Sequence, residues 1–230
     1  MNLLTLAICI LPSVFLLIYT KNNSKNYVEH SPSIYIKLFF FGILSTLPAY
    51  ILEGINQFAF FELNPYTNAD YSFKYWFICV GLVEEFAKFI FLYFFVLKND
   101  KDFKCLFDGV SYSVSVALGF AVFENIIYAI RYEYFDPLSL SVQRSLHPGH
   151  FAFAIIMGVL FSEAKKFEKN NTKKYRVYIL MAIIIPSLIH AMFDYICSVF
   201  GDTEIDVFMA VLFIYSFFTI KAKSKDIFFI

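Results

Sequence analysis

YSFKYWFICVGLVEEFAKFIFLYFFVL, residues 71–97, is long and apolar enough to cross a bilayer, yet Glu84, Glu85 and Lys88 sit near its centre. A ~30 Å hydrocarbon core requires about 20 apolar residues of helix. An ionised side chain at mid-bilayer costs from about 3 to over 10 kcal/mol unless it meets a partner or a water-filled cavity. The same conflict recurs at Glu124, His190 and Asp194, each inside another apolar run. Residues placed this way predict a buried polar site inside a bundle of membrane helices.

Composition points the same way. Hydrophobic residues make up 59% of the 230-residue chain and Phe alone contributes 31, against roughly 45–50% apolar residues in a soluble domain. A formal net charge of zero gives no basis for a nucleic-acid partner. Cys9, Cys79, Cys105 and Cys197 lack zinc-finger or CxxC spacing, so they read as small apolar residues and not as a disulfide framework. Runs of about 20 apolar residues fall at 2–19, 34–53, 71–97, 109–131, 142–164, 177–199 and 204–220. They predict an all-α, polytopic bundle of seven spans, a single domain over residues 1–230.

Charge orients the bundle. Lys21 and Lys25, then Lys98, Lys101 and Lys104, then Lys165 to Arg176, then Lys221, Lys223 and Lys225 fall on alternate loops. The loops between them carry Glu62 and Asp70, Glu133 and Asp136, and Asp202 and Glu204. The positive-inside rule therefore sets the N-terminus outside and the C-terminus in the cytoplasm of a cell membrane of bacterial inner-membrane type. The first span lacks a basic leader and a small-residue cleavage pattern, so it is expected to stay as an anchor. Glu53 is expected at the outer surface and His30 in a loop. At ~1.5 Å per residue, Glu84, Glu124 and His190 reach one layer slightly outside the midplane. His150, eight residues into a span that enters from outside, joins them about 12 Å below the outer surface.

Local spacing gives each helix its chemistry. Lys88 stands at i+4 from Glu84 and i+3 from Glu85 and can neutralise either. Adjacent glutamates point about 100° apart, so one can face a cavity while the other is tied down. His190 and Asp194 share a face at i, i+4, where the carboxylate can fix the imidazole tautomer. Pro148-Gly149 ahead of His150 predicts a bent or late-starting helix, and Pro186 predicts a kink below His190.

Four motifs occur in order on separate spans: Glu84-Glu85-x-x-Lys88, Gly119-Phe120-Ala121-Val122-Phe123-Glu124-Asn125 with Tyr128, Pro148-Gly149-His150, and His190-x-x-x-Asp194. Over about residues 75–200 the chain resembles the PrsW family of intramembrane proteases, within the superfamily of the CAAX prenyl endopeptidases. The resemblance implies that Glu84 is the base that activates water, with Glu85 and Lys88 positioning it. It implies that Glu124, His150, His190 and Asp194 complete the site, with Asn125 and His147 as secondary candidates. In the CAAX branch the position of Asp194 is an oxyanion-binding asparagine; an ionised aspartate cannot donate, so that role passes here to His190, His150 or Asn125. The substrate implied is a membrane-anchored protein such as an anti-sigma factor, cleaved in a stress response.

The residue types suit peptide hydrolysis independently, since a carboxylate shielded from water is a stronger base and a nearby imidazole can serve an oxyanion or a leaving amine. No serine has a nucleophile's setting. No cofactor is expected; the alternative is a zinc-dependent protease with Glu84, Glu124, His150 and His190 as ligands, against which HExxH is absent and Lys88 would repel a cation. Two further readings stay open: a proton-coupled transporter, since Glu, Lys and His also build relays, and a non-catalytic membrane scaffold.

Overall fold

The computed structural model describes residues 2–24, 30–61, 72–131, 137–146 and 148–224. Helix α1 spans Leu3–Ser24 and α2 Pro32–Phe61. A continuous helical run follows, made of α3 (Phe73–Tyr75), a π-helical turn (Trp76–Gly81) and α4 (Leu82–Lys98). Then come α5 (Leu106–Arg131), α6 (Pro137–Leu146), α7 (Gly149–Phe167), α8 (Thr172–Val199) and α9 (Asp202–Lys223). Among the described residues there is no strand, and six helical stretches are long and apolar enough to cross a membrane, one of them, Val142–Phe167, running across the junction of α6 and α7. The seventh expected crossing is the α3–α4 run, set apart because a π-turn divides it and α4 alone has only 17 residues.

The span expected at 142–164 is not one helix. Helix α6 closes at Leu146 and α7 opens at Gly149, behind Pro148 at φ −74° and ψ 67°. Proline lacks an N–H and forces its predecessor out of the helical region, so the two helices cannot merge through it. His150 thus lies in the first turn of α7 and not eight residues into a span, and the ~12 Å depth reckoned on an unbroken helix does not apply. The late start foreseen from Pro148-Gly149 is what occurs. Pro186 lies within α8, which continues to Val199.

Helix α5 is the axis of the bundle. Its residues from Leu106 to Val122 are buried on every side, as expected of a helix that is apolar all round. It packs against α7, α2 and α1. Helices α1, α2 and α9 instead turn Leu11, Phe15, Phe40, Leu47, Val211 and Phe218 outward, an apolar surface suited to lipid. Where α2 crosses α5, a Cβ on Gly42 would lie 1.9 Å from the Val116 carbonyl oxygen and one on Gly119 1.9 Å from that of Phe39. Only hydrogen fits at either position, and the backbones close to contact.

The end of the bundle where α2 and α5 begin is tied by a buried polar group. His30 Nε2 lies 2.7 Å from Asp108 Oδ1, and the backbone N–H of Cys105 donates to Asp108 Oδ2 at 2.8 Å. Burial and the adjacent Asp108 carboxylate push the Cys105 thiol up to about 12, so it stays protonated and donates to Asp108 Oδ1 at 3.4 Å. His30, expected as a loop residue, is buried and joins the entry of α2 to the first turn of α5.

Candidate functional site

Glu84 and Glu85 emerge directly after the π-turn, in the first turn of α4. A π-turn displaces the helical hydrogen-bond ladder by one residue, a distortion frequent at functional sites. Across the helix pair, Asn56 of α2 donates from Nδ2 to the Ile78 carbonyl at 2.9 Å. The π-turn also packs against α8, where a Cβ on Gly81 would lie 2.5 Å from the Ser187 carbonyl oxygen. This contact brings α4 beside His190.

Lys88 is the hub. Its Nζ donates to Glu84 Oε2 at 3.0 Å and to Glu85 Oε1 at 2.8 Å, and it lies 3.0 Å from His150 Nδ1. The Phe120 ring closes the fourth side at 4.0 Å. An ammonium has three hydrogens and no lone pair, so His150 Nδ1 must accept. Its proton is therefore on Nε2, which donates to Glu124 Oε2 at 2.7 Å; this tautomer is inferred from the network. Both nitrogens of His150 are engaged.

His190 has a different outlook. Its Nδ1 lies 3.0 Å from Glu85 Oε1, and its ring stacks on Phe153 with centroids 4.8 Å apart. Nε2 is turned toward Asp194 Oδ2 at 3.4 Å and Glu84 Oε2 at 3.9 Å. Among the described residues, Glu85 Oε2 and Asp194 Oδ2 are buried without a hydrogen-bond partner. The structure thus gathers Glu84, Glu85, Lys88, Glu124, His150, His190 and Asp194 around one volume between α4, α5, α7 and α8. Asn125 stands at its edge with Oδ1 accepting from Arg144 Nε at 2.7 Å. His147 lies outside the described residues.

Two residues were missed. Arg144 of α6 donates from Nη2 to Glu124 Oε2 at 2.8 Å. It stood inside an expected apolar span, the same signal that picked out Glu84. Glu53, expected at the outer surface, is half-buried on α2, where its carboxyl feels the charges of Glu84, Glu124, His190 and Lys88.

Part of this donor set has the make-up of a metal site. Glu84, Glu85, His150 and His190 each offer a ligand atom, all within 4.8 Å of one another. Glu85 stands in that group where Glu124 was expected, because Glu124 Oε2 is taken by His150 and Arg144. Carboxylates and imidazoles suit zinc or a similar ion. By residue type the group fits; the ammonium of Lys88 in its midst is the opposing feature.

A sequence profile described as PrsW family intramembrane metalloprotease matches residues 30–220, most of the chain. The chain belongs to the PrsW family. It is 32% identical over 175 residues to Protease PrsW of Geobacillus kaustophilus, covering 75% of this chain and 71% of that protein. It is 36% identical over 180 residues to Protease PrsW of Clostridioides difficile, covering 76% and 72%. The Protease PrsW of Bacillus subtilis is 28% identical over 223 residues, 93% of this chain and 92% of that one. No solved structure matches the chain. This PrsW-family protein is accordingly a peptidase and a multi-pass membrane protein.

Proposed function

We propose that this PrsW-family chain hydrolyses a peptide bond of a membrane-anchored protein near the outer face, with Glu84 as the base that activates water. The supporting observation is the division of labour around Lys88. Glu84 gives only Oε2 to Lys88, which leaves its second oxygen to accept a proton from water. As water adds to the scissile carbonyl, Glu84 takes that proton and later passes it to the departing amine. As a histidinium, His190 donates its Nε2 hydrogen to the developing oxyanion, while its Nδ1 hydrogen is held by Glu85 Oε1 and Asp194 stands beside Nε2. His150 is the poorer oxyanion donor, since both of its nitrogens already have partners; Asn125, whose Oδ1 accepts from Arg144, keeps its Nδ2 hydrogens as a second candidate donor. Glu124 orients His150, and through it Lys88.

The site lies near the outside. By helical rise, Glu124 is about 10 Å and His190 about 14 Å from the outer ends of α5 and α8. A substrate bond just inside that interface is within reach, which suits a single-span protein with an external domain. By family resemblance, a bacterial anti-sigma factor is such a substrate.

A second reading has support from the clustered donors and from the orphaned Glu85 Oε2. Glu84, Glu85, His150 and His190 would then hold a zinc ion, which would supply Lewis-acid polarisation and a more acidic water. Newly exposed membrane-protein termini should appear in cells expressing the wild type and fall by at least ~10² with Glu84→Gln, the loss expected when a general base is removed. Equal cleavage by a correctly inserted Glu84→Gln protein would sink the assignment. Activity surviving exhaustive chelation supports direct water activation. Stoichiometric zinc, with chelator-killed activity restored by zinc, would establish the second reading instead.

A further inference from the structure

We propose that Arg144, on the short helix α6, is a positioning residue that acts through Glu124 to hold His150 in one tautomer and orientation. The inference rests on the hydrolytic reading above. Arg144 engages three residues of α5 at once. Nη2 donates to Glu124 Oε2 at 2.8 Å, Nε donates to Asn125 Oδ1 at 2.7 Å, and the guanidinium lies 3.9 Å from the centre of the Tyr128 ring. A planar fork stacked on an aromatic face can satisfy this arrangement; a lysine ammonium, a point charge without a plane, cannot.

Glu124 Oε2 accepts from Arg144 and from His150 Nε2 together. Without the guanidinium, the neutral ring of His150 is the one donor left to Glu124 Oε2 among the described residues, and the carboxylate is released to rotate. The His150 ring then loses the acceptor that keeps its proton on Nε2, and Lys88 loses the acceptor at Nδ1. A contact on α6 is thereby transmitted to the ammonium that sits on Glu84. The same orientation of His150 would serve if its Nδ1 held a metal, because an imidazole ligand needs its other nitrogen fixed by a carboxylate.

Helix α6 does not depend on Arg144 alone for its place. Pro12 lies within α1 and has no N–H for the Ile8 carbonyl. Ser145 Oγ of α6 donates to that carbonyl at 3.0 Å. Removing the guanidinium should therefore leave α6 docked on α1 and disturb the site chiefly through Glu124.

The test uses the full-length protein purified in detergent, labelled with nitrogen-15 in its histidines, beside cleavage in cells. The His150 signal, assigned by its loss in His150→Gln, is expected to report a proton on Nε2 alone in the wild type. Arg144→Gln should move it toward a mixture of tautomers and slow formation of the Glu84-dependent termini at least ~10-fold. Arg144→Lys, which keeps the charge, should not restore either readout, and it carries the test should Arg144→Gln fail to fold. Arg144→Gln added to Glu124→Gln should slow cleavage no further than Glu124→Gln alone, as for two residues acting in series. An unchanged His150 signal, full activity in Arg144→Lys, or effects that multiply with those of Glu124→Gln would overturn the proposal. Wild-type cleavage by Glu84→Gln would instead overturn the hydrolytic reading, while the tautomer measurement would still decide what Arg144 does.

Discussion

Replacing Lys88 by Met removes the ammonium and keeps an unbranched stem of similar length against Phe120, so its effect is mainly electrostatic. All three Nζ hydrogens have acceptors, at 3.0 Å on Glu84, 2.8 Å on Glu85 and 3.0 Å on His150, and the side chain is 1% exposed. Breaking a buried ion pair from one side destabilises by about 3–5 kcal/mol, because the remaining charge has neither water nor partner. For a chain of this size each kcal/mol moves the unfolding midpoint by about 2–4 °C, so a fall of roughly 6–20 °C is expected. Thermal unfolding in detergent, followed by circular dichroism, measures it. Much of the loss belongs to the stranded carboxylates, so Lys88→Met combined with Glu85→Gln should recover a substantial part. A midpoint within ~2 °C of wild type for Lys88→Met, or a double variant less stable than the single one, would refute the view that Lys88 neutralises this pair.

Two other expectations concern the bundle itself. A cysteine at the exposed Asn170, in a chain with Cys197→Ser and the buried Cys9, Cys79 and Cys105 kept, should resist an impermeant thiol reagent in intact cells and react after lysis if the basic segment 165–176, where α7 passes into α8, faces the cytoplasm as its charge predicts; labelling in intact cells would invert the topology. Gly119→Val, whose Cβ meets the Phe39 carbonyl oxygen at 1.9 Å, should lower stability by at least ~2 kcal/mol, whereas Gly54→Ala, inside α2 with nothing within 4 Å, should hold or raise the unfolding midpoint.

Legibility in the sequence followed the strength of the physical penalty. Glu84, Lys88 and His190 could be found because a polar group in an apolar run demands a partner, and the structure supplies partners on facing helices. Gly119 lay within a recognised motif, but its role at the α2–α5 crossing depends on Phe39, eighty residues away in the chain, and no spacing rule relates the two. His30 and Asp108 met the same obstacle: each is ordinary in its own segment, and only the fold puts them 2.7 Å apart. Arg144 was legible in principle, as a cation inside an expected span. It was obscured because residues 142–164 were read as one helix, although Pro148 divides them. Which glutamate joins the donor group was also beyond the sequence, since Glu85 and Glu124 differ there only in their tertiary partners.

Helix α2 runs for 30 residues, from Pro32 to Phe61, whereas α7 has 19 and α9 has 22. At the helical rise these correspond to about 45, 28 and 33 Å. Against a hydrocarbon core of about 30 Å, α7 and α9 fit nearly upright, whereas α2 must lean or lift its last turns into the headgroups. Since Asn56, in the outer half of α2, bonds to the π-turn just ahead of Glu84, acyl-chain length can bear on the spacing of the two helices that frame the chemistry. Bilayer thickness thereby acts, through the lean of α2, on the helix that carries Glu84.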